Sequence, residues 1–155
     1  MNIFVLDTDH QKCAEYHVDR HCVKMVLETS QLLSGVHWME GKSAPYKLSH
    51  KNHPCSVWAR TCIENYNWLC QLGLAISKEY TYRYNKVHKS QNVIQWCINN
   101  QPNLRSNGSL TPFALAMPDY CRIGDAIESY REYYRKEKND LAVWKNRPIP
   151  SWFQN

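Results

Sequence analysis

Near the start of the chain, polar side chains recur with helical spacing. His17, His21, Lys24, Glu28 and Gln31 are separated by four, three, four and three residues, so they should form one stripe along a helix. Histidine can move protons, lysine can neutralise a phosphate or act as an amine nucleophile, and glutamate can serve as a base. We therefore interpret His21, Lys24 and Glu28 as candidate catalytic residues, and His17 and Gln31 as candidate ligand-binding residues.

Leu27 and Leu32 border this stripe on its two sides, which favours a polar groove inside the fold. A solvated helix face with incidental ion pairs is the alternative interpretation. A third interpretation is a metal site on His17, His21 and Glu28. Lys24 would repel a cation there, and no H-E-x-x-H motif or C-x-x-C pair supports such a site. We therefore expect no metal and no cofactor.

A second candidate site precedes Pro54, which is well placed to begin a helix. There His50, Asn52 and His53 could offer an anion the N–H groups and positive dipole of a helix N-terminus. The alternative is that His53 and Asn52 only cap the helix. Trp58 and Arg60 follow on the same helix and add a stacking group and a positive charge.

A third segment interleaves aromatic and basic residues, a mixture that suits base stacking beside a phosphate backbone. We take Tyr80 and Arg83 as its candidate binding residues, although large aromatics at helical spacing are also typical of a core. The full segment comprises Tyr80, Tyr82, Arg83, Tyr84, Lys86, His88 and Lys89.

Composition limits the class of protein. The 155 residues, 43% hydrophobic with only five glycines, predict a single folded domain spanning residues 1–155 rather than a disordered chain. Seven cysteines without a C-x-x-C pair predict reduced packing residues, and the start of the chain does not resemble a signal peptide. We therefore expect a cytoplasmic protein with no membrane partner. A net charge of +5 suits a polyanionic partner, while the oligomeric state is not predicted.

Periodicity predicts a mainly α fold that must position these side chains. A first long helix should run from about Gln11 to Trp38, after a run at Ile3–Leu6 that could form a short strand. A second should begin at Pro54 and continue to about Tyr84. Residues 90–99 predict a third helix, residues 100–118 a long surface connection, and Asp125 with Glu128 a capping box opening a last helix. The proline-containing tail, residues 147–153, should not be helical but should pack its aromatics on the body.

Several short motifs together resemble the pyrimidine dimer DNA glycosylase group, which includes phage endonuclease V-like enzymes. The resemblance covers roughly the first half of the chain. Its residues are Asp19-Arg20, Lys24, Glu28, Gln31-Leu32-Leu33, Asn52-His53-Pro54, Trp58, Arg60, Glu79-Tyr80 and Arg83-Tyr84. The Asn-His-Pro segment and Thr111 to Ala114 also resemble uncharacterised phage proteins.

The resemblance implies a compact helical enzyme that kinks DNA and excises a damaged base. The family's chemistry forms a Schiff base on the N-terminal amine, assisted by a glutamate on the first long helix. Arg20 and Lys24 match basic, DNA-facing positions. This chain departs from the pattern in two places: the bulky Asn2 disfavours removal of the initiator methionine, and His21 stands after Arg20 where the catalytic glutamate would be. Glu28 is the candidate replacement.

Two functions remain open from the sequence. The first is a glycosylase-type hydrolase cleaving an N-glycosidic bond, with DNA as substrate, Glu28 or His21 as acid or base, Lys24 as amine or phosphate partner, and Arg20 and Arg60 on phosphates. The second is a catalytically silent phage protein that binds and sequesters a nucleotide or nucleic acid. A third alternative is an interaction protein whose basic helices dock an acidic protein partner.

Overall fold

The computed structural model describes residues 1–154, and helices are the only regular elements within that range. The mainly α prediction is therefore confirmed, whereas residues 3–6 are extended without forming the short strand. The helices are α1 (His10–Tyr16), α2 (Asp19–Met39), α3 (Pro54–Ala59), α4 (Ile63–Tyr84), α5 (Gln91–Asn99) and α6 (Ala126–Glu137). Short 3-10 helices span Asp119–Cys121, Asn139–Leu141 and Ser151–Gln154.

Helix α4 lies at the centre of the fold, packed against α1, α2 and α5. Gly73 permits this close packing, because a Cβ there would lie 2.9 Å from Ile94 Cδ1 on α5 and 3.0 Å from Thr29 Cγ2 on α2. The buried residues form one continuous hydrophobic core. All seven cysteines are buried free thiols, as their apolar surroundings in the sequence predict.

The first helix is interrupted, contrary to the prediction of one helix from Gln11 to Trp38. His17 and Val18 are extended, with ψ angles of 131° and 156°. The guanidinium of Arg83 donates to the carbonyl oxygens of His17, at 2.7 Å, and Glu15, at 3.0 Å. The side chain of a distant helix thus satisfies carbonyls at the end of α1, which local periodicity cannot reveal.

The second predicted helix is also divided, because the chain turns between Ala59 and Ile63. Asn65 Nδ2 donates to the carbonyl of Trp58 at 2.9 Å, and the Ile63 N–H donates to the carbonyl of Arg105 at 2.9 Å. These bonds satisfy backbone groups freed by the break. The result is a short α3 at an angle set by tertiary contacts, followed by the long α4.

The remaining elements follow the sequence more closely. Helix α5 matches its predicted range, and the Asp125 carboxylate caps α6 by accepting from the Glu128 N–H at 2.9 Å. Residues 100–118 form the long irregular connection that was predicted. The tail buries Trp152 as expected, but Ser151–Gln154 forms a short 3-10 helix, so the prediction of a wholly non-helical tail was wrong.

Candidate active site

A buried ion pair joins the beginning of the chain to α2. The α-amino nitrogen of Met1 lies 3.0 Å from Glu28 Oε1, and their side chains are 3% and 8% exposed. Burial strengthens the interaction of the two charges relative to water. An amine beside a carboxylate is also a chemical pair, because the carboxylate can accept the proton that the amine must lose before it attacks an electrophile.

Asn2 fixes the position of this amine. Its Nδ2 donates to the Ala116 carbonyl at 2.9 Å, and its Oδ1 accepts from the Ile3 N–H at 2.8 Å and lies 3.1 Å from the Tyr130 hydroxyl. The following residues, 3–6, are buried in the core. The Asn2 side chain that distinguishes this chain from the family pattern is therefore the anchor that holds the backbone against α2.

The ion pair lies at a small cavity of about 140 Å³. Glu28 Oε2 is buried without a hydrogen-bond partner among residues 1–154, and Lys24 Nζ lies 3.6 Å from it. An unused carboxylate oxygen can accept a bond from a bound molecule. The cavity is lined by Met1, Asn2, Phe4, His21, Lys24, Met25, Glu28, Tyr133 and Lys138.

His21 forms one wall of the cavity. Its ring stacks on Phe4 with centroids 4.2 Å apart, and its Nδ1 lies 2.8 Å from the Tyr134 hydroxyl. Burial lowers the pKa of His21 to about 3, and the nearby positive charges of Lys138 and Lys24 act in the same direction. His21 is consequently a neutral imidazole at physiological pH.

The structure thus brings together the three candidate catalytic residues, His21, Lys24 and Glu28, on one face of α2. It does not bring His17 to them, because His17 precedes α2 and its Nδ1 donates to the Cys13 carbonyl at 2.7 Å inside the core. Burial lowers the pKa of His17 to about 4. Gln31, on α2 itself, is half-buried and is not among the residues that line the cavity.

A larger groove of about 640 Å³ adjoins the cavity and shares Lys24 with it. Its walls combine exposed apolar side chains, Val23 and Leu27, with two tyrosine rings and several bases. The described lining residues are Asp19, Arg20, Val23, Lys24, Leu27, Tyr46, Tyr84, His88, Lys89 and Ser90. Part of the interleaved aromatic and basic segment therefore reaches the same face of the molecule as the cavity.

Other candidates in that segment have different surroundings. Tyr80 packs against Tyr84 and His88, with ring centroids 5.2 Å and 4.8 Å away. Arg83 is 1% exposed, and its guanidinium is bound by Glu79 and Asp19 besides the two α1 carbonyls. Its charge is therefore engaged within the fold.

The residues before α3 act chiefly on the loop itself. His53 caps α3, since its Nδ1 accepts from the Cys55 N–H at 3.1 Å, and Arg60 Nη1 donates to the Lys51 carbonyl at 2.6 Å. Asn52 is exposed and His50 adopts a left-handed backbone with φ 51°. Burial, and then the charge of the N-terminal amine, lower the pKa of His53.

Trp58 contributes to the core rather than to the cavity wall. It is 5% exposed, and its ring lies 6.0 Å from Trp68 and 5.3 Å from Phe113 between centroids. Its indole N–H points to the Thr111 carbonyl at 3.4 Å. The aromatic cluster supports α3 and the long connection next to it.

Spacing along the chain did not identify three parts of the cavity. The amine of Met1 and the side chains of Tyr133 and Lys138 come from opposite ends of the sequence. Lys138 Nζ lies 4.9 Å from the centroid of the Tyr133 ring, a cation–π contact. The signal available for Lys138 was its position just after α6, which does not by itself indicate a site.

Within residues 1–154, no three His, Cys, Asp or Glu side chains converge in an arrangement that could hold a metal ion. Over the same residues, no helix combines the length and apolar character needed to cross a membrane.

Comparison with known proteins gives one match. A family model described as pyrimidine dimer DNA glycosylase matches residues 1–92, more than half of the chain and the part that contains Met1, α2 and Glu28. No curated protein and no solved structure matches the chain.

Proposed function

This chain belongs to the pyrimidine dimer DNA glycosylase family, and from that premise we propose that it cleaves the N-glycosidic bond of a damaged base in DNA. The observation that carries the proposal is the 3.0 Å contact between the Met1 amine and Glu28 Oε1 at the cavity. A nucleophile and a proton acceptor within hydrogen-bond reach are the minimum needed for covalent catalysis. The match over residues 1–92 includes both groups.

The proposed reaction begins when Glu28 accepts a proton from the Met1 ammonium. The neutral amine attacks C1′ of the damaged nucleotide, a C–N bond forms, and the bond from C1′ to the base breaks with its electron pair leaving on the base. The departing base, which carries the electron pair, takes the second proton from the attached nitrogen. The lone pair left on that nitrogen then forms the C=N bond as the C1′–O4′ bond opens, and the protonated Glu28 gives its proton to the ring oxygen O4′. The product is an iminium, a protonated Schiff base, between the amine and C1′.

The surrounding charges support a nucleic-acid substrate. Lys24, whose side chain is 64% exposed, lies between the cavity and the larger groove, and Lys138 lies across the cavity. Arg20 and Lys89 extend the positive charge along the groove. Such cations neutralise backbone phosphates, while the tyrosines beside them offer faces on which unpaired bases can stack.

The first experiment traps the proposed iminium. The protein is incubated with duplexes carrying either one thymine dimer or one abasic site, sodium borohydride is added, and the products are analysed by intact mass spectrometry and peptide mapping. We expect a reduced adduct on the peptide that begins the chain. The mapping also identifies the residue whose amine is modified, Met1 if the methionine is retained.

Two results would contradict the proposal. An adduct on Lys24 would move the nucleophile to that side chain. Tight DNA binding with no adduct, no released base and no strand cleavage would instead support a catalytically silent binding protein. An undamaged duplex of the same sequence serves as the control.

A further inference from the structure

The imidazole of His21 is held in one orientation and one tautomer. Tyr134 lies at its Nδ1 side, with the hydroxyl oxygen 2.8 Å from Nδ1. That oxygen also lies 3.4 Å from the Val18 N–H, which can only donate to it. Within residues 1–154, Nδ1 is the only acceptor within hydrogen-bond distance of the buried Tyr134 hydroxyl. The hydroxyl therefore donates its proton to Nδ1, which places the ring proton of a neutral His21 on Nε2.

The other side of the ring faces the reaction cavity. His21 is 5% exposed and lines the cavity beside Lys24 and Glu28. Within residues 1–154 the hydrogen bond of its ring is made at Nδ1, which leaves Nε2 available to a molecule in the cavity. Stacking on Phe4 prevents the ring from turning away, so the Nε2–H is a fixed donor directed at the space a substrate would occupy.

We propose that His21 acts as a neutral hydrogen-bond donor to the carbonyl oxygen that flanks the glycosidic nitrogen of a departing pyrimidine. This inference rests on the proposed function and adds a role that is neither acid nor base. When the C1′–N1 bond breaks, its electron pair spreads onto that oxygen, O2 of a pyrimidine. A donor placed in advance at this oxygen stabilises the charge as it develops.

The chemical state of His21 agrees with this role. Burial, reinforced by Lys138, Lys24 and Arg20, keeps the pKa of His21 far below neutrality, so the ring retains one proton and does not release it in each cycle. The role also defines a substrate class. Pyrimidines carry a carbonyl next to the glycosidic nitrogen, whereas purines have a ring nitrogen in the corresponding place and should gain less from the donor.

The test separates base release from iminium formation. His21→Phe retains an aromatic ring on Phe4 but has no donor, and His21→Gln places an amide N–H near the position of Nε2. With the dimer-containing duplex under single-turnover conditions, we expect His21→Phe to break the C1′–N1 bond, measured as alkali-labile sites, about 100- to 1,000-fold more slowly and His21→Gln to recover part of the loss. Trapping on a preformed abasic site, where no base departs, should be unchanged in both.

The outcomes distinguish this inference from the proposed function. If wild-type protein traps no abasic DNA, the amine mechanism fails. If His21→Phe slows trapping on abasic DNA as much as base release, His21 only maintains the fold and the donor role is wrong. Equal base release by wild type and His21→Phe would overturn it as well.

A spectroscopic measurement tests the same inference without activity. ¹⁵N NMR of protein labelled at histidine should show His21 with a protonated Nε2 and an unprotonated Nδ1 throughout pH 5 to 8, and Tyr134→Phe should mix the tautomers. A proton on Nδ1, or titration of His21 between pH 5 and 8, would contradict the proposal even if no catalytic activity were detected.

Discussion

The carboxylate of Glu28 contacts the α-amino group of Met1 through Oε1, while Oε2 lies 3.6 Å from Lys24 Nζ and forms no hydrogen bond within the described residues. The carboxylate is thus positioned to take a proton from the amine. His21 lies two turns before Glu28 on α2, and either residue type could act as an acid or a base. Under the proposed function Glu28 moves protons and His21 does not.

We expect Glu28→Gln to slow base release and iminium trapping by about 10²- to 10⁴-fold, the usual contribution of a positioned proton acceptor. The amide keeps the shape of the side chain but cannot accept the amine's proton. Affinity for the damaged duplex, measured by fluorescence anisotropy, should change little. The matched control is Glu40→Gln at the C-terminal cap of α2, where another glutamate pairs its Oε2 with a lysine, Lys42, at 3.8 Å and forms no hydrogen bond through that atom within residues 1–154. Equal losses in both variants would remove Glu28 from the mechanism.

The part of the site that sequence reasoning could predict is the part built on one helix. His21, Lys24 and Glu28 follow the period of α2, and periodicity was sufficient to place them on one face. The Met1 amine, Tyr133 and Lys138 reach the cavity through contacts between distant parts of the chain. The resemblance to the glycosylase family supplied the amine, but no local pattern indicated that Glu28 would be its partner.

The fold shows the same division between local and long-range causes. Helices α5 and α6 carry their own start signals and were predicted with nearly correct bounds. The interruption at residues 17–18 depends on Arg83, which donates to the distant His17 carbonyl, and that at residues 60–62 depends on the bond from the Ile63 N–H to the distant Arg105 carbonyl. An apolar period continues through such breaks, so the sequence predicted two long helices where the structure has four.

Lys24 should contribute to DNA affinity through a phosphate contact. We expect Lys24→Ala to weaken binding of both damaged and undamaged duplexes, and to reduce the slope of log affinity against log salt concentration by about 1. Lys42→Ala is the matched control, since Lys42 is 60% exposed and also pairs with a glutamate, yet lies beyond the opposite end of α2. A loss confined to catalysis, with the salt dependence unaltered, would argue against this contact.

A buried ionic network should make the fold sensitive to acid. Glu79 is 2% exposed and accepts from Arg83 at 2.7 Å and from Arg147 at 2.9 and 3.0 Å. Burial raises the pKa of Glu79, but the bonds from Arg147 and Arg83 together outweigh it, so the net direction is downward. The stabilisation is therefore present above the unfolded-state pKa, about 4.3, and is lost as the pH falls through the lower folded-state value.

The corresponding measurement is thermal unfolding between pH 7 and pH 3. Glu79→Gln should destabilise the protein at pH 7 by about 1.5–3 kcal/mol, because the bonds from two arginines lose their charged acceptor while Arg83 still pairs with Asp19 and Arg147 with Glu15. The difference from wild type should narrow as wild-type Glu79 becomes protonated. Glu128→Gln, at a half-exposed carboxylate paired with Arg131 at 3.7 Å, provides the control and should have a small effect. A pH-independent difference for Glu79→Gln would contradict the assignment.

The close packing of α4 against α5 predicts that an alanine at position 73 destabilises the fold that carries the site. In most helices Gly→Ala is stabilising, by up to about 1 kcal/mol, but the Cβ of an alanine at position 73 would lie 2.9 Å from Ile94 Cδ1. We expect Gly73→Ala to lower the free energy of unfolding by about 1–3 kcal/mol. Urea denaturation monitored by tryptophan fluorescence measures the change.

Ile94→Val identifies the atom responsible, because it deletes Cδ1 while retaining the branch at Cβ. Alone it should cost about 0.5–1.5 kcal/mol. Combined with Gly73→Ala it should cost less than the sum of the two single changes by at least about 0.5 kcal/mol, since the new methyl group occupies the space that Cδ1 vacated. Strictly additive effects would mean that the 3.0 Å approach to Thr29 Cγ2 on α2, rather than α5, limits the packing. In that case the strain would act directly on the helix that carries Glu28.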